Sequence, residues 1–190
     1  MVAASPTHDL PSSDTVEISL FGPLYGECLV VHYGQGRWLT VDSCLEKDGT
    51  PSALTYLSEI GVSPTAVTHN IITHPDGDHI GGISKLHEAC SSARLVCPAV
   101  LAQEDMVAYI AYYAQLDPTP LTQKTKELRD VLSLSLDRTP KGPRYVKQDT
   151  LIVASPPVRI TALAPSDTKV GKFLGRVSMM IPKMGMDRRA

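Results

Sequence analysis

A chain of 190 residues has room for one domain with a substantial buried core. Hydrophobic residues make up 43% and charged residues 20%, which is too apolar for a disordered polymer and ordinary for a folded one. The formal net charge of -2, with no basic stripe in view, gives no signal of phosphate-driven nucleic-acid binding. No apolar run approaches the ~20 residues that a bilayer span needs.

Residues 1–15 lack a charged segment followed by an apolar one, so they read as a disordered lead-in and not as a signal peptide. From Val16, V-E-I-S-L-F alternates apolar and polar residues, as a half-buried strand does. Gly22, Pro23 and Gly26 punctuate a turn, and C-L-V-V-H-Y then predicts a strand packed on both faces. The tight turn G-Q-G-R leads to a third strand, W-L-T-V-D-S-C, so the sheet opens antiparallel. Pro51–Ile60 puts Leu54, Leu57 and Ile60 at helical spacing, with Gly61 as the stop. A buried strand T-H-N-I-I-T-H, the loop P-D-G-D-H, a helix from Gly81 and the strand R-L-V-C-P-A-V follow. The order β-β-β-α-β-α-β is an α/β layout with a mixed sheet. Ala102–Leu116 and Leu121–Leu136 predict two further helices, the first with Tyr109, Tyr112 and Tyr113 clustered for packing. Strands are expected at Thr150–Ala154 and Val158–Leu163. The organised region runs from 16 to 167; the Met-rich stretch 168–190 fits neither strand nor helix and reads as a tail.

The informative segment is I-I-T-H-P-D-G-D-H-I-G-G, Ile71–Gly82. It gathers His74, Asp76, Asp78 and His79 between a buried strand and a helix. Imidazole nitrogen and carboxylate oxygen suit zinc, iron or manganese, and the short spacing allows one or two cations. Without a cation the two aspartates repel one another, offset only by the helix N-terminus. Gly77 is expected to permit the turn, and Gly81-Gly82 a tight helix start. On composition alone, a polar turn with helix-capping aspartates is the competing reading.

This segment resembles the signature of the metallo-β-lactamase-like hydrolases, whose usual form is T-H-x-H-x-D-H-x-G-G. Here it stands as T-H-P-D-G-D-H-I-G-G, with Asp76 where a histidine is usual. The aspartate form is similar to that of the soluble domain of bacterial DNA-uptake channel proteins. The opening F-G-P-L-Y-G-E-C-L-V-V-H-Y-G resembles a bacterial group of stand-alone hydrolase-like proteins. The resemblance covers about Val16 to Val100. It implies an αββα sandwich, of which this chain supplies mainly the N-terminal half. It also implies that His74 and Asp76 face one metal while Asp78 and His79 face the other. Asp78 would then orient the attacking water as the catalytic residue, and Asp42, ending the third strand, would support the loop from behind. One or two divalent ions are implied, zinc first; Asp76 leaves room for manganese, for iron or for a single occupied site. The implied activity is attack by metal-activated water on an ester, amide or phosphodiester.

A catalytic zinc usually takes three protein ligands, and the loop supplies two per metal. The family completes the set from its second half, whereas this sequence has no histidine after His87, and Asp149 and Asp167 lack a fitting strand-end context. Two alternatives follow: a truncated member of the family, or a non-catalytic domain with a structural or vestigial metal loop. A nuclease-like role finds no basic patch to support it.

The other histidines have ordinary explanations. His69, at an odd separation from His74, points to the opposite strand face; His87 is expected to face solvent, His32 to be half-buried and satisfied, and His8 to lie in the lead-in. Cys44 lies near the expected cavity, yet it reads as a small core residue. Cys28, Cys44, Cys90 and Cys97 form no C-x-x-C pair and read as reduced thiols of a cytoplasmic protein. Ser43 and Ser84 lack a nucleophile elbow, and G-Q-G-R is no dinucleotide fingerprint. The expected partner is a small-molecule or phosphodiester substrate, with no membrane; self-association through an exposed sheet face or edge is the further expectation.

Overall fold

The computed structural model describes residues 9–22, 26–113, 115–116 and 120–180. Most of the lead-in (1–8) and the end of the tail (181–190) lie outside the described residues. Three strands open the fold: β1 (Val16–Phe21), β2 (Cys28–Tyr33) and β3 (Trp38–Val41). They pair antiparallel, Val16 opposite Tyr33 and Leu29 opposite Val41. Helix α1 (Ser52–Glu59) crosses over to β4 (Val67–Ile71), and α2 (Gly77–Ile80) with α3 (Ile83–Ala89) crosses to β5 (Arg94–Pro98). Strands β3, β4 and β5 therefore run parallel, each pair joined by helix as parallel pairing requires. After α4 (Glu104–Tyr113) and α5 (Pro120–Arg138), β6 (Arg144–Val146) adds to β5 in parallel. The six strands lie in the order β1-β2-β3-β4-β5-β6. A separate hairpin, β7 (Leu151–Ser155) and β8 (Val158–Thr161), precedes α6 (Asp167–Met180).

The mixed α/β sheet inferred from the sequence is the one observed. Its two faces bury two cores. Trp38, Leu57, Leu86, Leu95, Leu101 and Leu128 belong to the helix-covered face. Val31, Leu39, Ile71 and Val96 meet Ile152 and Val153 of the hairpin on the other. β1 shows why its alternation matters. Glu17 and Ser19 turn toward α1, where the Tyr56 hydroxyl donates to Glu17 at 2.7 Å and Ser19 donates to Tyr56 at 3.3 Å. Val16, Ile18 and Leu20 turn outward and stay exposed.

Three expectations need correction. The stretch from Val170 is not an unpatterned tail, because Asp167–Met180 is helical. Val170 and Leu174, one turn apart, pack against the main core, and this tertiary anchoring outweighs the helix-weakening Gly171 and Gly175. No expectation covered β6; three residues are enough for it, since β5 offers a ready partner. His87 does not face solvent and is 1% exposed. Its Nδ1–H donates to Asn70 at 2.7 Å, and Arg138 of α5 donates to its Nε2 at 3.3 Å. His32, expected to be half-buried and satisfied, is fully buried, stacked on Trp38 at a centroid distance of 4.8 Å, and its Nδ1 has no hydrogen-bond partner among the described residues. Among the described residues no helix is long and apolar enough to cross a membrane.

Candidate metal centre

The parallel register sets Val41 of β3 beside Ile71 of β4. The chain therefore leaves both strands at the same edge, and Asp42 emerges next to Thr73 and His74. Ligand sites of α/β sheets gather at such carboxyl ends. Asp42 adopts the left-handed region at φ 61°, an uncommon conformation for a residue with a side chain. Two backbone bonds hold it there: Asp42 N–H donates to Ile71 at 2.7 Å, and Ser43 N–H donates to His79 at 2.8 Å. Its carboxylate accepts from Thr73 N–H at 2.7 Å and from the Thr73 hydroxyl at 2.6 Å. A third bond, 2.9 Å long, joins it to His79 Nδ1.

Those three bonds define its role. Asp42, His74 and His79 place one donor atom each within 4.8 Å of one another, so by proximity alone all three could ligate. Both Asp42 oxygens are nonetheless engaged inside the protein. The arrangement fits a carboxylate that fixes the tautomer and ring orientation of His79, leaving Nε2 free to face a cation.

The remaining donors form two pairs. His74 Nε2 lies 3.6 Å from Asp76 Oδ2, and His79 Nε2 lies 3.8 Å from Asp78 Oδ2. Both gaps exceed hydrogen-bond length and match two ligands sharing one cation at ~2.0–2.2 Å each. The imidazole rings stand 3.9 Å apart between centroids. Nitrogen and oxygen donors in this mixture suit a divalent transition metal, and the residues present fit it. All five site residues inferred from the sequence thus gather at the carboxyl ends of β3 and β4. Asp149 and Asp167 do not join them. Asp149 sits in the turn before β7, and Asp167 pairs with Lys147 at 3.0 Å.

Two glycines shape the loop, and Gly77 is not one of them, since nothing crowds it and its backbone is not left-handed. Gly82, at φ +69°, starts α3 against Leu45, whose side chain a Cβ would strike. Gly26, at φ +102°, lies against the carbonyl of Asp78, where a Cβ would overlap. Glu27 N–H donates to that same carbonyl at 3.0 Å, so the β1–β2 turn buttresses the loop from across the sheet. Cys44 lies in the core, its sulfur 3.5 Å from that of Cys28. Burial pushes the Cys28 thiol well above its ordinary range.

Lys124 is the residue the sequence did not mark. Its ammonium reaches from α5 to Asp76 Oδ1 at 2.6 Å and holds that carboxyl below its ordinary pKa. No local pattern could have flagged a contact spanning 48 positions. Two cavities open on the histidines. One of about 250 Å³ touches Cys28, Asp42, His74 and His79; the other, of about 320 Å³, runs from His74 toward α6.

Residues 21–143, more than half of the chain, match the family profile described as the metallo-beta-lactamase superfamily. The crystal structure of a metallo-β-lactamase-type protein from Thermotoga maritima is similar at 16% identity and a TM-score of 0.46. The match covers 73% of this chain, which spans 62% of that protein's length. No curated protein matches the sequence.

Proposed function

Because the chain belongs to the metallo-β-lactamase superfamily, we propose that His74–His79 is the metal loop of a hydrolase acting on an ester, amide or phosphodiester. The observation that carries this reading is the pairing of each free imidazole Nε2 with a carboxylate oxygen, at 3.6 and 3.8 Å. His74 and Asp76 would hold one divalent cation, Asp78 and His79 a second. Each pair offers one nitrogen and one oxygen, which suits zinc first; the carboxylate at Asp76, where the family usually has a histidine, also admits manganese or iron. A cation there supplies Lewis acidity, which brings the ionisation of water toward neutral pH. Asp42 keeps His79 in the tautomer that presents Nε2, and the Asp78 carboxylate orients the attacking water and takes up its proton. The water oxygen bonds to the carbonyl carbon or phosphorus, the bond to the leaving oxygen or nitrogen breaks, and that group departs with a proton. A cytoplasmic setting belongs to the same proposal, since four free, buried cysteines suit a reducing compartment.

The Lys124–Asp76 ion pair favours a second reading. An ammonium that occupies one Asp76 oxygen weakens that half of the loop, which suits a single cation held at Asp78 and His79 for structure, without hydrolysis. Elemental analysis of the 190-residue protein beside a His74→Ala/His79→Ala double variant tests both. Near-stoichiometric metal that the variant loses establishes the site, and ester and phosphodiester assays on the loaded protein then separate hydrolase from structural domain. If neither protein retains metal in a chelator-free preparation, both readings fail for this chain.

A further inference from the structure

The cavity between His74 and α6 has a charge pattern that the metal loop does not explain. Its floor is Thr73, His74 and Pro75, and its wall is one face of α6. Lys169, Lys172, Phe173 and Arg176 stand at i, i+3, i+4 and i+7, so the helix presents all four on one side. Three cations line the cavity and no carboxylate does. Among the described residues none of the three forms an ion pair. The one acidic residue α6 contributes to an ion pair, Asp167, is taken up by Lys147. Like charges so placed repel one another, and the field they leave is relieved by a bound anion.

We propose that this cavity binds the phosphate group of a small phosphate ester, with Lys169, Lys172 and Arg176 as its cationic wall. This rests on the reading of the adjacent loop as the metal site of a hydrolase, and it names that site's substrate class. The guanidinium of Arg176 offers a planar fork that matches two phosphate oxygens, and the lysines add point charges. Val100, Pro165 and Phe173 supply an apolar side for the carbon portion of the ester. A cavity of about 320 Å³ lies at the small end of the range for organic ligands, which suits a small ester.

The test uses phenylphosphonate, a stand-in that cannot lose its phosphorus group by hydrolysis. It is titrated calorimetrically into the full 190-residue protein after chelator dialysis, and again with zinc restored. The metal-free protein is expected to bind it, more weakly as salt is raised. A Lys172→Gln/Arg176→Gln variant is expected to lose at least tenfold in affinity. These side chains are exposed, and unchanged circular dichroism checks that the variant is folded. Benzoate, of similar size and lower charge, is expected to bind more weakly. Absence of binding, equal affinity in the variant, or equal affinity for benzoate overturns the proposal. So does binding that appears only with zinc and ignores the substitutions, an outcome that leaves the metal reading standing. Conversely, a chain that holds no metal yet binds phosphonate through α6 sinks the metal reading alone.

Discussion

Asp76 has two competing partners, one on each oxygen. Lys124 donates to Oδ1 at 2.6 Å, while Oδ2 faces His74 Nε2 across 3.6 Å. The ion pair itself contributes little to the fold, because Asp76 is 59% exposed and water screens the attraction to at most ~1 kcal/mol. Its effect on a divalent cation is larger, since an ammonium beside a ligand oxygen repels the cation as well as occupying the carboxylate. Lys124→Met should therefore leave thermal stability nearly unchanged and raise divalent-metal affinity on the order of tenfold. Metal titration followed by calorimetry checks this, and unchanged or weaker binding would show that Asp76 is not a ligand. The contrast with the other site residues explains what the sequence made legible. His74, Asp76, Asp78 and His79 lie within six positions in an order that resembles the family's metal loop, and that same resemblance is what marks Asp42 at the end of a strand. Lys124 has no such mark among the neighbouring lysines of α5. The glycine at the start of α3, Gly82, was visible as well, but the one packed against the loop's carbonyl, Gly26, was not. Backbone φ follows from what packs behind each residue, and that put the left-handed positions at Gly26 and Gly82 instead of Gly77.

At the scale of elements, α3 and α5 are tied by a buried polar chain as well as by apolar packing. Asn70 of β4 donates to Thr40 of β3 at 2.8 Å and accepts from His87 of α3, whose other nitrogen accepts from Arg138 of α5. Arg138 also donates to the Cys90 and Glu88 carbonyls at 3.2 and 3.0 Å, satisfying groups that the end of α3 leaves unpaired. In this chain His87 must stay neutral, because Nε2 is an acceptor facing a guanidinium. Burial, with Arg138 adding to it, lowers its pKa from 6.5 to about 4. Between those values the unfolded state binds the proton and the folded state does not. The favourable contribution is thus fully present above pH 6.5 and drains away toward pH 4, by roughly 3 kcal/mol in all. Denaturant unfolding from pH 7 to pH 4 should show this loss, and His87→Gln should flatten the slope whatever its effect at pH 7. Equal slopes in the two proteins would sink the assignment. The sequence placed α3 correctly but put His87 on the wrong side of it, because a helix face is solvent only until another helix packs there. Helix α6 was missed for a related reason, its pattern being diluted by two glycines and completed only by contact with the core.

On the scale of the whole molecule, the order of strands and crossovers was legible through β5, where each element has its own periodicity and stop signal. Coverage of the sheet was not, since it depends on which distant segment lies on which face. The structure distributes that cover unevenly. Helices bury one face, whereas the β7–β8 hairpin meets the other around Val31, Leu39, Ile71 and Val96 and leaves β1 bare. Val16, Ile18 and Leu20 are 53%, 65% and 69% exposed, three alternate apolar side chains on a strand at the sheet's edge. An edge also offers unpaired backbone N–H and C=O groups, so apolar and hydrogen-bonding surfaces coincide on one short strand. We expect this strand to mediate concentration-dependent self-association, measurable as a rising sedimentation coefficient. Ile18→Lys should abolish the rise, because a charge on an edge strand opposes strand-to-strand pairing. It should shift unfolding free energy by no more than ~0.5 kcal/mol, since the side chain it replaces is already in water. A wild-type protein that sediments as a monomer at every concentration would show that the exposed stripe is tolerated without a partner. Association that survives Ile18→Lys would move the contact to another surface. Either result would leave the metal loop untouched, because Ile18 faces away from α1 and contributes no atom to the site at the ends of β3 and β4.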